Sequence, residues 1–259
     1  MSGLLNIAIQ AAYNAAQVIQ QESRGLTKIT VEKKGLNDYV SSVDKKAEQE
    51  IIQTILKAFP THNIMGEESG LNNQNSELTW IIDPIDGTTN FLHGHPQYSI
   101  SIAVKEGNKI VCGVIFDPNR NDIYTAELGK GAKLNDARIR VSKTANLADS
   151  LLATGFPTYD MSYLDKYLSI FKTMIQTTAG QRRLGSAALD LAYVAAGYVD
   201  GFWEFNLKPW DIAAGYLLVK EAGGLVCDFD GEQNMFESGN IIAANPKLIS
   251  QILKTIQSA

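Results

Sequence analysis

Apolar residues recur at helical spacing from the beginning of the chain. Within residues 4–19, Leu5, Ile9, Ala12 and Ile19 fall three, four or seven positions apart, so they would share one face of an amphipathic helix. Polar residues interrupt the segment, and no later stretch approaches the roughly 18 apolar residues that a membrane span needs. The pattern predicts an N-terminal helix that packs on the fold, and neither a signal peptide nor a membrane anchor.

A second helical pattern begins at about Asp44 and ends at Phe59. Its apolar positions step by four, as at Ile51 and Ile55, and a proline follows its last residue, which is a common stop signal. Asp44 would therefore lie in the first turn of this helix. The preceding polar stretch, residues 32–38, separates two short apolar runs, and its composition predicts a mobile flap rather than a packed element.

Short strand-like segments separated by tight turns replace the helical pattern after residue 79. Alternation of apolar and polar residues is typical of strands with one buried face. The strands predicted in this part are residues 80–82, 99–104, 109–116 and 123–127. Turns as short as Gly107-Asn108 join antiparallel neighbours, so we predict an antiparallel sheet here.

Helices and strands alternate from about residue 147 onward. Ser186 would cap one of these helices, Pro209 would begin the next, and Gly223 would end it. The predicted elements are strand 151–154, helices 161–175, 186–196 and 209–223, strands 199–205, 225–229 and 240–244, and a helix from Pro246. We therefore predict an α+β domain over residues 1–147 and an α/β domain over residues 148–259, with the chemical motifs between them.

Composition narrows the classes of function. The 259 residues are 45% hydrophobic, as in an ordinary globular protein with a large core. The net charge of −5 argues against broad electrostatic binding to nucleic acid, which needs clustered Lys and Arg. Cys112 and Cys227 both lie in apolar, strand-like runs, a setting that predicts buried thiols and a reducing, cytoplasmic location.

The densest chemical signal is the segment Trp80–Phe91, where an apolar strand ends in two carboxylates, Asp83 and Asp86. Pro84 restricts its predecessor to an extended conformation, and Gly87 permits a sharp turn. We therefore expect both acids to project from one loop beyond the strand end. Two crowded anions need a cation or a shared proton, although Asp-Pro and Asp-Gly pairs are also common turn formers.

Further carboxylates lie elsewhere in the chain. Glu67 and Glu68 occupy an earlier turn, and Asp211 lies much later. Adjacent acids in one loop rarely both bind an ion, so we expect one of Glu67 and Glu68 to be a ligand. With Asp83 and Asp86 these side chains form an oxygen-rich set, which suits Mg²⁺. Hydrolysis of a phosphate monoester needs such cations, because the substrate anion repels hydroxide.

Three separated motifs resemble those of the inositol monophosphatase family, within the magnesium-dependent, lithium-sensitive phosphatase superfamily. The motifs are Gly66-Glu67-Glu68-Ser69, Asp83-Pro84-Ile85-Asp86-Gly87-Thr88-Thr89-Asn90-Phe91, and Trp210-Asp211-Ile212-Ala213-Ala214-Gly215 with Glu221-Ala222-Gly223-Gly224. The resemblance covers essentially the whole chain, and residues 182–190 and 200–202 are most similar to the bacterial SuhB-type members. It implies a layered αβαβα sandwich of the inositol monophosphatase and fructose-bisphosphatase type, and a homodimer.

The resemblance also implies an activity and a metal site. The reaction would be Mg²⁺-dependent hydrolysis of inositol 1-phosphate, or of related small phosphorylated polyols, with two or three ions bound. The ligands implied are Glu67, Asp83 and the Ile85 carbonyl for one ion, Asp83, Asp86 and Asp211 for the second, and Glu67 for a weaker third. The 1–147 domain would thus carry most of the metal ligands, and the 148–259 domain would complete the active site.

Catalytic and substrate-binding roles follow from the same resemblance. The catalytic residues implied are Asp44, Thr88, Glu67 and Asp211. Asp44 and Thr88 would orient the attacking water, and Asp211 would position the water that protonates the leaving oxygen. The residues implied to bind substrate are Asp86, Gly87, Thr88, Ser186, Ala187, Glu204, Asp211 and Lys34. The backbone N–H groups of Gly87 and Thr88 would hold the phosphate, because a helix terminus offers unpaired donors.

Other phosphatases compete with this interpretation. Haloacid dehalogenase phosphatases also place Asp-x-Asp-Gly-Thr after an apolar strand, but Pro84 occupies the position of their nucleophilic aspartate. Fructose-1,6-bisphosphatase activity is a lesser alternative, since Thr89-Asn90-Phe91 favours the inositol branch.

Lys208-Pro209, just before Asp211, departs from the pattern of the animal enzymes of the family. This departure puts the fit of the substrate in question, but not the binding of the metals. His93 and His95 form only a weak zinc signal.

A regulatory binding role is the main alternative to catalysis. SuhB-type relatives are associated with the transcription and ribosomal RNA machinery, and the Arg182-Arg183 pair could serve a partner there. The acidic balance of the chain weakens direct RNA binding, whereas a protein interface survives that objection. We therefore expect any such partner to be a protein of the transcription machinery, and this role can coexist with phosphatase activity.

Overall fold

The computed structural model describes residues 2–23, 31–35, 38–157 and 160–259, and for residues 31–35 and 38–40 it describes the backbone alone. The helices in these ranges are α1 (Gly3–Ser23), α2 (Ser42–Ala58), α3 (Thr88–Leu92), α4 (Leu164–Thr177), α5 (Ala187–Ala196), α6 (Pro209–Glu221), α7 (Met235–Ser238) and α8 (Ile249–Ser258). Short 3₁₀ turns occupy Leu147–Asp149 and Met161–Tyr163.

The strands of the described residues form a small hairpin and two larger sheets. The hairpin consists of β1 (Val31–Gly35) and β2 (Asp38–Ser41). The eight-stranded sheet consists of β3 (Asn63–Gly66), β4 (Gly70–Asn72), β5 (Leu78–Asp86), β6 (Ser99–Glu106), β7 (Lys109–Asp117), β8 (Asp122–Glu127), β9 (Gly131–Leu134) and β10 (Ala137–Arg138), in the order β10-β9-β8-β7-β6-β5-β3-β4. The five-stranded sheet consists of β11 (Leu151–Thr154), β12 (Gly180–Arg182), β13 (Gly201–Glu204), β14 (Leu225–Cys227) and β15 (Ile241–Ala244), in the order β12-β11-β13-β15-β14.

Three hydrophobic clusters define how helices and sheets are stacked. The first joins α1 and α2 to one face of the eight-stranded sheet. The second joins the opposite face of that sheet to α5 and α6, and through them to the five-stranded sheet. The third covers the remaining face of the five-stranded sheet with α4 and α8. The layers therefore alternate α, β, α, β, α, and the predicted layered αβαβα sandwich is confirmed.

Strand β5 carries the motif carboxylates into the middle of these layers. Trp80 and Ile82 pack with α1 and α2, whereas Ile81 packs with α5 and α6. Successive side chains of a strand point to opposite faces, so a strand that helices cover on both sides is apolar at every position. This explains the unbroken apolar run before Asp83, and it places the end of β5 between two helix layers.

The eight-stranded sheet is mixed, which corrects the prediction of an antiparallel sheet in the first part of the chain. The five-stranded sheet is mixed as well. Strands β5 to β8 pair in antiparallel order as predicted. Strand β3, however, is parallel to β5, and β11 is parallel to both β12 and β13. The sequence pattern does not predict β3, β4, β9, β10, β12 or α7, because each has only two to four residues and shows too little periodicity.

Several predicted boundaries shift by a few residues in the structure, and the starts of α2 and α8 are two examples. Helix α2 begins at Ser42 rather than Asp44, because the Ser41 hydroxyl accepts hydrogen bonds from the next N–H groups and acts as its N-cap. Helix α8 begins at Ile249 rather than Pro246.

The polar stretch 32–38, predicted as a mobile flap, overlaps both strands of the hairpin. Residues 32–35 belong to β1, and Asp38 begins β2. These strands pair through backbone hydrogen bonds, which do not require alternating apolar side chains.

Burial of the cysteines agrees with the sequence prediction. Cys112 and Cys227 are both buried and both free. Within the described ranges, no helix has the length and apolar character to cross a bilayer. The strands of the two large sheets fall on either side of residue 147, but α5 and α6 pack against both sheets. The division into domains 1–147 and 148–259 therefore stays a prediction.

Candidate active site

A β-bulge near the end of β5 turns both motif carboxylates to the same side. Asp83 pairs with Ser101 and Asp86 pairs with Ser99, so three steps along β5 oppose two steps along β6. Residues three apart in a regular strand point to opposite faces, and the one extra residue of a bulge restores the phase. The strand itself continues to Asp86, which corrects the prediction that both acids lie in a loop beyond it.

Asp211 joins the two motif carboxylates at one point. Asp83, Asp86 and Asp211 each offer an oxygen, and these oxygens lie within 4.8 Å of one another. All three side chains are buried, and they line a cavity of about 470 Å³. Glu67 and Ile85 line the same cavity. The five residues predicted to bind metal therefore lie around a single space.

Burial raises the pKa of all three acids in this group, and repulsion by neighbouring carboxylates adds to the rise for Asp83 and Asp211. Burial and then the charges of Glu67, Asp86 and Asp211 hold the pKa of Asp83 well above its ordinary value. Burial and then the charge of Asp86 do the same for the pKa of Asp211, and burial raises the pKa of Asp86 to about 6. Buried like charges need a compensating cation. A hard divalent ion such as Mg²⁺ fits this all-oxygen donor set.

Asp86 also fixes the start of α5. Its Oδ2 accepts a hydrogen bond from Ala188 N at 2.7 Å and another from the Ser186 hydroxyl. Ser186 is the N-cap of α5 and accepts from Leu189 N, so a carboxylate and a hydroxyl share the unpaired donors of the first turn. Ser186 and Ala187 both line the cavity, but the Ser186 hydroxyl is engaged with Asp86.

The first turn of α6 positions Asp211. Pro209 occupies the first helical position, where its fixed φ suits the helix and its missing N–H is not needed. Asp211 Oδ2 accepts a hydrogen bond from Lys208 N at 2.7 Å. The Ser101 hydroxyl donates to the Trp210 carbonyl at 3.1 Å and thereby ties this turn to β6. The helix start, and with it the carboxylate, is therefore anchored to the eight-stranded sheet.

Asp44 and Thr88 form a hydrogen-bonded pair beside the cavity. The Thr88 hydroxyl lies 3.0 Å from Asp44 Oδ1 and 3.0 Å from the Ile85 carbonyl, and its single proton can serve only one acceptor at a time. The other Asp44 oxygen accepts from Ser41 N at 2.8 Å. Burial raises the pKa of Asp44. The structure thus brings together the two residues predicted to orient water.

Gly87 begins α3 in the left-handed conformation that the turn requires. Its φ is +98°, and a Cβ there would lie 3.0 Å from the Gly185 carbonyl oxygen and 3.1 Å from that of Gln97. Conformation and space together favour glycine at this position. Gly87 and Thr88 both line the cavity, so the chain enters α3 directly beside the carboxylate group.

Glu204 lies beside residues whose place in the cavity the sequence analysis did not predict. A Cβ on Gly155 would lie 1.9–2.1 Å from the Glu204 carboxylate atoms, so the carboxylate rests on bare backbone. The Arg183 guanidinium stacks on the Phe156 ring at 4.7 Å, and both residues line the cavity. Burial raises the pKa of Glu204 to about 8, and Arg183 opposes that rise.

Asp190 is a further acid to which the sequence analysis gave no role. It lies four residues after Ser186 on α5, hence near the same face of the helix, and it lines the cavity while fully buried. Burial, and then the charges of Glu204 and Asp86, raise the pKa of Asp190 well above its ordinary value. Its helical spacing from Ser186 is the sequence signal that identifies it.

Three other residues named in the sequence analysis are Lys34, Glu68 and His93. Lys34 belongs to β1, but its side chain lies outside the described residues. Glu68, the alternative ligand, donates its backbone N–H to Glu48 Oε2. His93 is exposed and borders the cavity.

Glu204 makes the stability of the metal-free protein depend on pH. A carboxyl group whose pKa rises on folding, here from 4.5 to about 8, stabilises the fold below its unfolded pKa, and this stability is lost as pH rises through the folded pKa. Glu204→Gln stays neutral, so its melting temperature should fall less than that of the wild type between about pH 5 and about pH 9. Thermal denaturation in a chelator checks this, with Glu50→Gln on α2 as control. Parallel curves for wild type and Glu204→Gln would contradict the expectation.

Known proteins resemble this chain over its full length. The Inositol monophosphatase family model matches residues 1–259. A putative Nus factor SuhB from Neisseria meningitidis serogroup B is 50% identical, over 100% of this chain and 99% of its own. The structure of the extragenic suppressor protein SuhB from Bartonella henselae superposes with a TM-score of 0.97 at 42% identity, covering 100% of both chains. The inositol monophosphatase of an Anabaena (Nostoc) species superposes with a TM-score of 0.85 at 36% identity, over 99% of this chain and 96% of its own. Sequence motifs, layered fold and full-length similarity agree, and the chain belongs to the inositol monophosphatase family.

Proposed function

We propose that this protein is a Mg²⁺-dependent phosphatase that hydrolyses inositol 1-phosphate and related small polyol phosphate monoesters. The observation that carries the proposal is the convergence of Asp83, Asp86 and Asp211 within 4.8 Å, on a cavity that Thr88 and Glu204 also line. Such a cavity offers cation ligands together with acceptors for substrate hydroxyl groups. Membership of the family supports phosphatase chemistry, and the Anabaena relative is named as an inositol monophosphatase.

The proposed metal ligands all border this cavity. They are Glu67, Asp83 and the Ile85 carbonyl for one ion, Asp83, Asp86 and Asp211 for a second, and Glu67 for a third. When bound, Mg²⁺ would neutralise the phosphate oxygens, lower the pKa of water and stabilise the departing alkoxide. The carboxylates alone would repel a phosphate dianion, so activity should require the ion.

Asp44 and Thr88 are proposed to activate the attacking water. When the Thr88 hydroxyl donates its hydrogen bond to Asp44 Oδ1, its lone pairs can accept a hydrogen bond from the attacking water. A proton taken from this water by the Thr88 oxygen would be balanced by transfer of the Thr88 proton to Asp44. The hydrogen bond from Ser41 N to the other oxygen of Asp44 prevents the carboxylate from turning away. Burial raises the pKa of Asp44, which makes it a better proton acceptor than an exposed aspartate. The pair would thus orient the water and draw its proton away from the phosphate.

Eight residues are proposed to contact or position the substrate. They are Asp86, Gly87, Thr88, Ser186, Ala187, Glu204, Asp211 and Lys34, of which the first seven line the cavity. The N–H groups of Gly87 and Thr88 would bind phosphate oxygens at the start of α3. Glu204 would accept a hydrogen bond from a polyol hydroxyl, and Asp211 would place the water that protonates the leaving oxygen. Ser186 would act by fixing Asp86, because its hydroxyl is already engaged there.

Phosphate release from a panel of esters tests this function. The panel contains inositol 1-phosphate, glycerol 2-phosphate, a nucleoside monophosphate and fructose 1,6-bisphosphate, each with Mg²⁺, with a chelator, and with Mg²⁺ plus Li⁺. We expect the fastest turnover for inositol 1-phosphate, no turnover in the chelator and inhibition by Li⁺. Turnover of fructose 1,6-bisphosphate alone would favour the bisphosphatase alternative, and no release from any ester would contradict phosphatase function.

A second proposed function is binding to a protein of the transcription machinery. Relatives from N. meningitidis and Escherichia coli are named putative Nus factor SuhB and Nus factor SuhB. This chain carries an arginine pair, Arg182-Arg183. Arg182 is exposed on β12 and donates to the Gln181 carbonyl. Arg183, also exposed, stacks on Phe156 and lines the cavity. Arg182 is therefore the member of the pair better placed to meet an acidic group on a partner.

Affinity recovery from a bacterial lysate tests the binding function. We expect Arg182→Ala to lower the recovery of RNA polymerase and its associated factors severalfold, as loss of an interface arginine does, while hydrolysis of inositol 1-phosphate continues. Lys109→Ala is the control, because Lys109 is an exposed cation at the start of β7, in the other large sheet. Equal recovery with both variants, or no transcription protein recovered by the wild type, would contradict the proposal.

We also propose that the protein is a cytoplasmic homodimer. Leu168 and Ile175 lie two helical turns apart on α4 and are 51% and 54% exposed, and Met161 precedes them at 42%. An exposed apolar stripe of this kind favours association with a second apolar surface. Light scattering should give about twice the 28.3 kDa of the chain. The buried free thiols of Cys112 and Cys227 support a reducing compartment.

A further inference from the structure

We propose that Glu48 is a positioning residue for the metal site. Its carboxylate fixes the turn that carries Glu67, and the affinity for Mg²⁺ depends on the length of the Glu48 side chain. The inference rests on the proposed function, because it concerns the ion that this function requires. Glu48 lies on α2 and is not one of the proposed ligands. Its effect would pass through the backbone of residues 66–68.

Glu48 is buried on the same face of α2 as Asp44. The two residues lie four apart, so their side chains are neighbours along the helix. Glu48 is only 2% exposed, and its Oε2 accepts a hydrogen bond from Glu68 N at 2.9 Å. Glu48 therefore holds the peptide that immediately follows Glu67.

Gly66 gives a measure of how closely the turn rests on this carboxylate. A Cβ at this position would lie 2.4 Å from Glu48 Oε2, 2.6 Å from its Cδ and 2.8 Å from its Oε1. Only backbone without a side chain leaves room for the Glu48 carboxylate here. Glu67 N donates to the Ile82 carbonyl at 3.1 Å. Residues 66–68 are therefore held to β4 and β5 by the pairing of Gly66 and the N–H of Glu67, and to α2 by Glu48.

The Glu67 side chain needs such an anchor because it points into a group of like charges. After burial, Glu67 is the largest cause of the raised pKa of Asp83, and it also raises the pKa of Asp211. Repulsion of this kind favours an outward displacement of the turn whenever its backbone is free to move. Glu48 is itself an anion, so it serves the site as a hydrogen-bond acceptor at a defined distance and not through its charge.

Helix α2 also connects the Glu67 turn to the pair proposed to activate water. Asp44 contacts the Thr88 hydroxyl at 3.0 Å, and Glu48 contacts the Glu67 turn one helical turn later. Ala47 and Ile51, on the buried side of the helix, belong to the core shared with the eight-stranded sheet. One rigid helix would thus keep both sides of the site in register, which matters because Mg²⁺ demands near-ideal octahedral geometry.

Two conservative substitutions separate the reach of Glu48 from its charge. Glu48→Asp keeps the charge but withdraws the carboxylate by about 1.5 Å, one C–C bond. Glu48→Gln loses the charge but keeps the length and a carbonyl oxygen that can accept from Glu68 N. We expect Glu48→Asp to weaken Mg²⁺ binding, measured by titration calorimetry on metal-free protein, by about tenfold or more, the usual loss when a group behind a ligand is changed. Glu48→Gln should bind Mg²⁺ within about threefold of the wild type.

Turnover at saturating Mg²⁺ gives a second readout. The kcat of Glu48→Asp should recover toward that of the wild type, because the ligands themselves are unchanged. Glu50→Asp is the matched control, since Glu50 lies on the same helix but borders a different groove, and its Mg²⁺ affinity should equal that of the wild type. A loss of affinity in Glu48→Gln without one in Glu48→Asp would overturn the inference, as would unchanged affinity in both.

The outcome is decisive even when one variant fails to fold. If Glu48→Asp shows no cooperative thermal transition, Glu48→Gln decides alone: affinity near that of the wild type supports the inference, and a tenfold loss overturns it. Absence of Mg²⁺ binding in the wild type would overturn the proposed function and this inference together. Mg²⁺ binding that depends on Glu48, without phosphatase activity, would contradict only the proposed function.

Discussion

Replacing Asp83 with asparagine should abolish Mg²⁺-dependent hydrolysis and, at the same time, make the metal-free protein more resistant to heat. Asp83 is the ligand that both principal ions are proposed to share, so its loss should lower kcat/KM by at least about a thousandfold, the upper range for removal of a single charge-stabilising group. In the absence of metal, the buried Asp83 carboxylate is repelled by Glu67, Asp86 and Asp211. Asparagine removes that repulsion and can still accept the hydrogen bond from Ile85 N, now 3.0 Å long.

Thermal denaturation with and without Mg²⁺ measures both effects in one experiment. The wild type should gain stability on adding Mg²⁺, because a ligand that binds only the folded state stabilises it. Without Mg²⁺, the melting temperature of Asp83→Asn should lie a few degrees above that of the wild type, by about 2–4 °C for each kcal/mol of relieved repulsion. Addition of Mg²⁺ should raise this melting temperature little further. Asp117→Asn is the control, and we expect it to lower the melting temperature. This buried aspartate forms an ion pair with Arg120 at 3.1 Å outside the cavity. A destabilised Asp83→Asn that still hydrolyses inositol 1-phosphate would be incompatible with this account.

Thr88→Val should lower kcat by about a hundredfold or more while Mg²⁺ binding persists, because general base assistance contributes about 10²–10⁴ to a rate. Valine has nearly the shape of threonine but can neither donate a hydrogen bond to Asp44 nor accept one from water. The Thr88 hydroxyl is not one of the proposed metal ligands. The defect should therefore appear in kcat and not in the Mg²⁺ dissociation constant.

Steady-state kinetics combined with calorimetry separates these two quantities. Thr89→Val is the matched control, since Thr89 borders the same cavity one residue later and has no proposed catalytic role. Near-normal kcat in Thr88→Val would remove this residue from the water-activating pair. A parallel loss of Mg²⁺ affinity would instead mean that the substitution disturbs the turn between β5 and α3.

Periodicity predicted the long elements well, because their burial is regular. The helical spacing of α1 and α2 and the short turns between β5, β6, β7 and β8 identify those elements without any three-dimensional information. The parallel strand β3 escaped prediction because it has four residues and pairs with β5 across an intervening hairpin strand and loop. Pairing of this kind depends on backbone hydrogen bonds between distant segments, which leave little trace in local composition.

The candidate site divides in a similar way between local and distant features. The motifs placed Asp83, Asp86 and Asp211 correctly on one cavity, whereas the bulge that turns the first two together depends on pairing with β6. The contacts of Gly66 with Glu48 and of Gly155 with Glu204 join residues far apart in sequence. A glycine gives no indication in the sequence of which side chain it makes room for, so only the structure identifies these pairs.

Anomalous scattering from crystals grown with Mn²⁺, an oxygen-binding substitute for Mg²⁺, tests the central claim most directly. The account predicts an anomalous peak between the carboxylates of Asp83, Asp86 and Asp211, and a second one bordered by Glu67, Asp83 and the Ile85 carbonyl, each within about 2.0–2.3 Å of its ligand oxygens. Both peaks should disappear or weaken strongly in Asp83→Asn. If crystals grown with saturating Mn²⁺ show no peak in this cavity, or if the peaks are unchanged in Asp83→Asn, the central claim is contradicted.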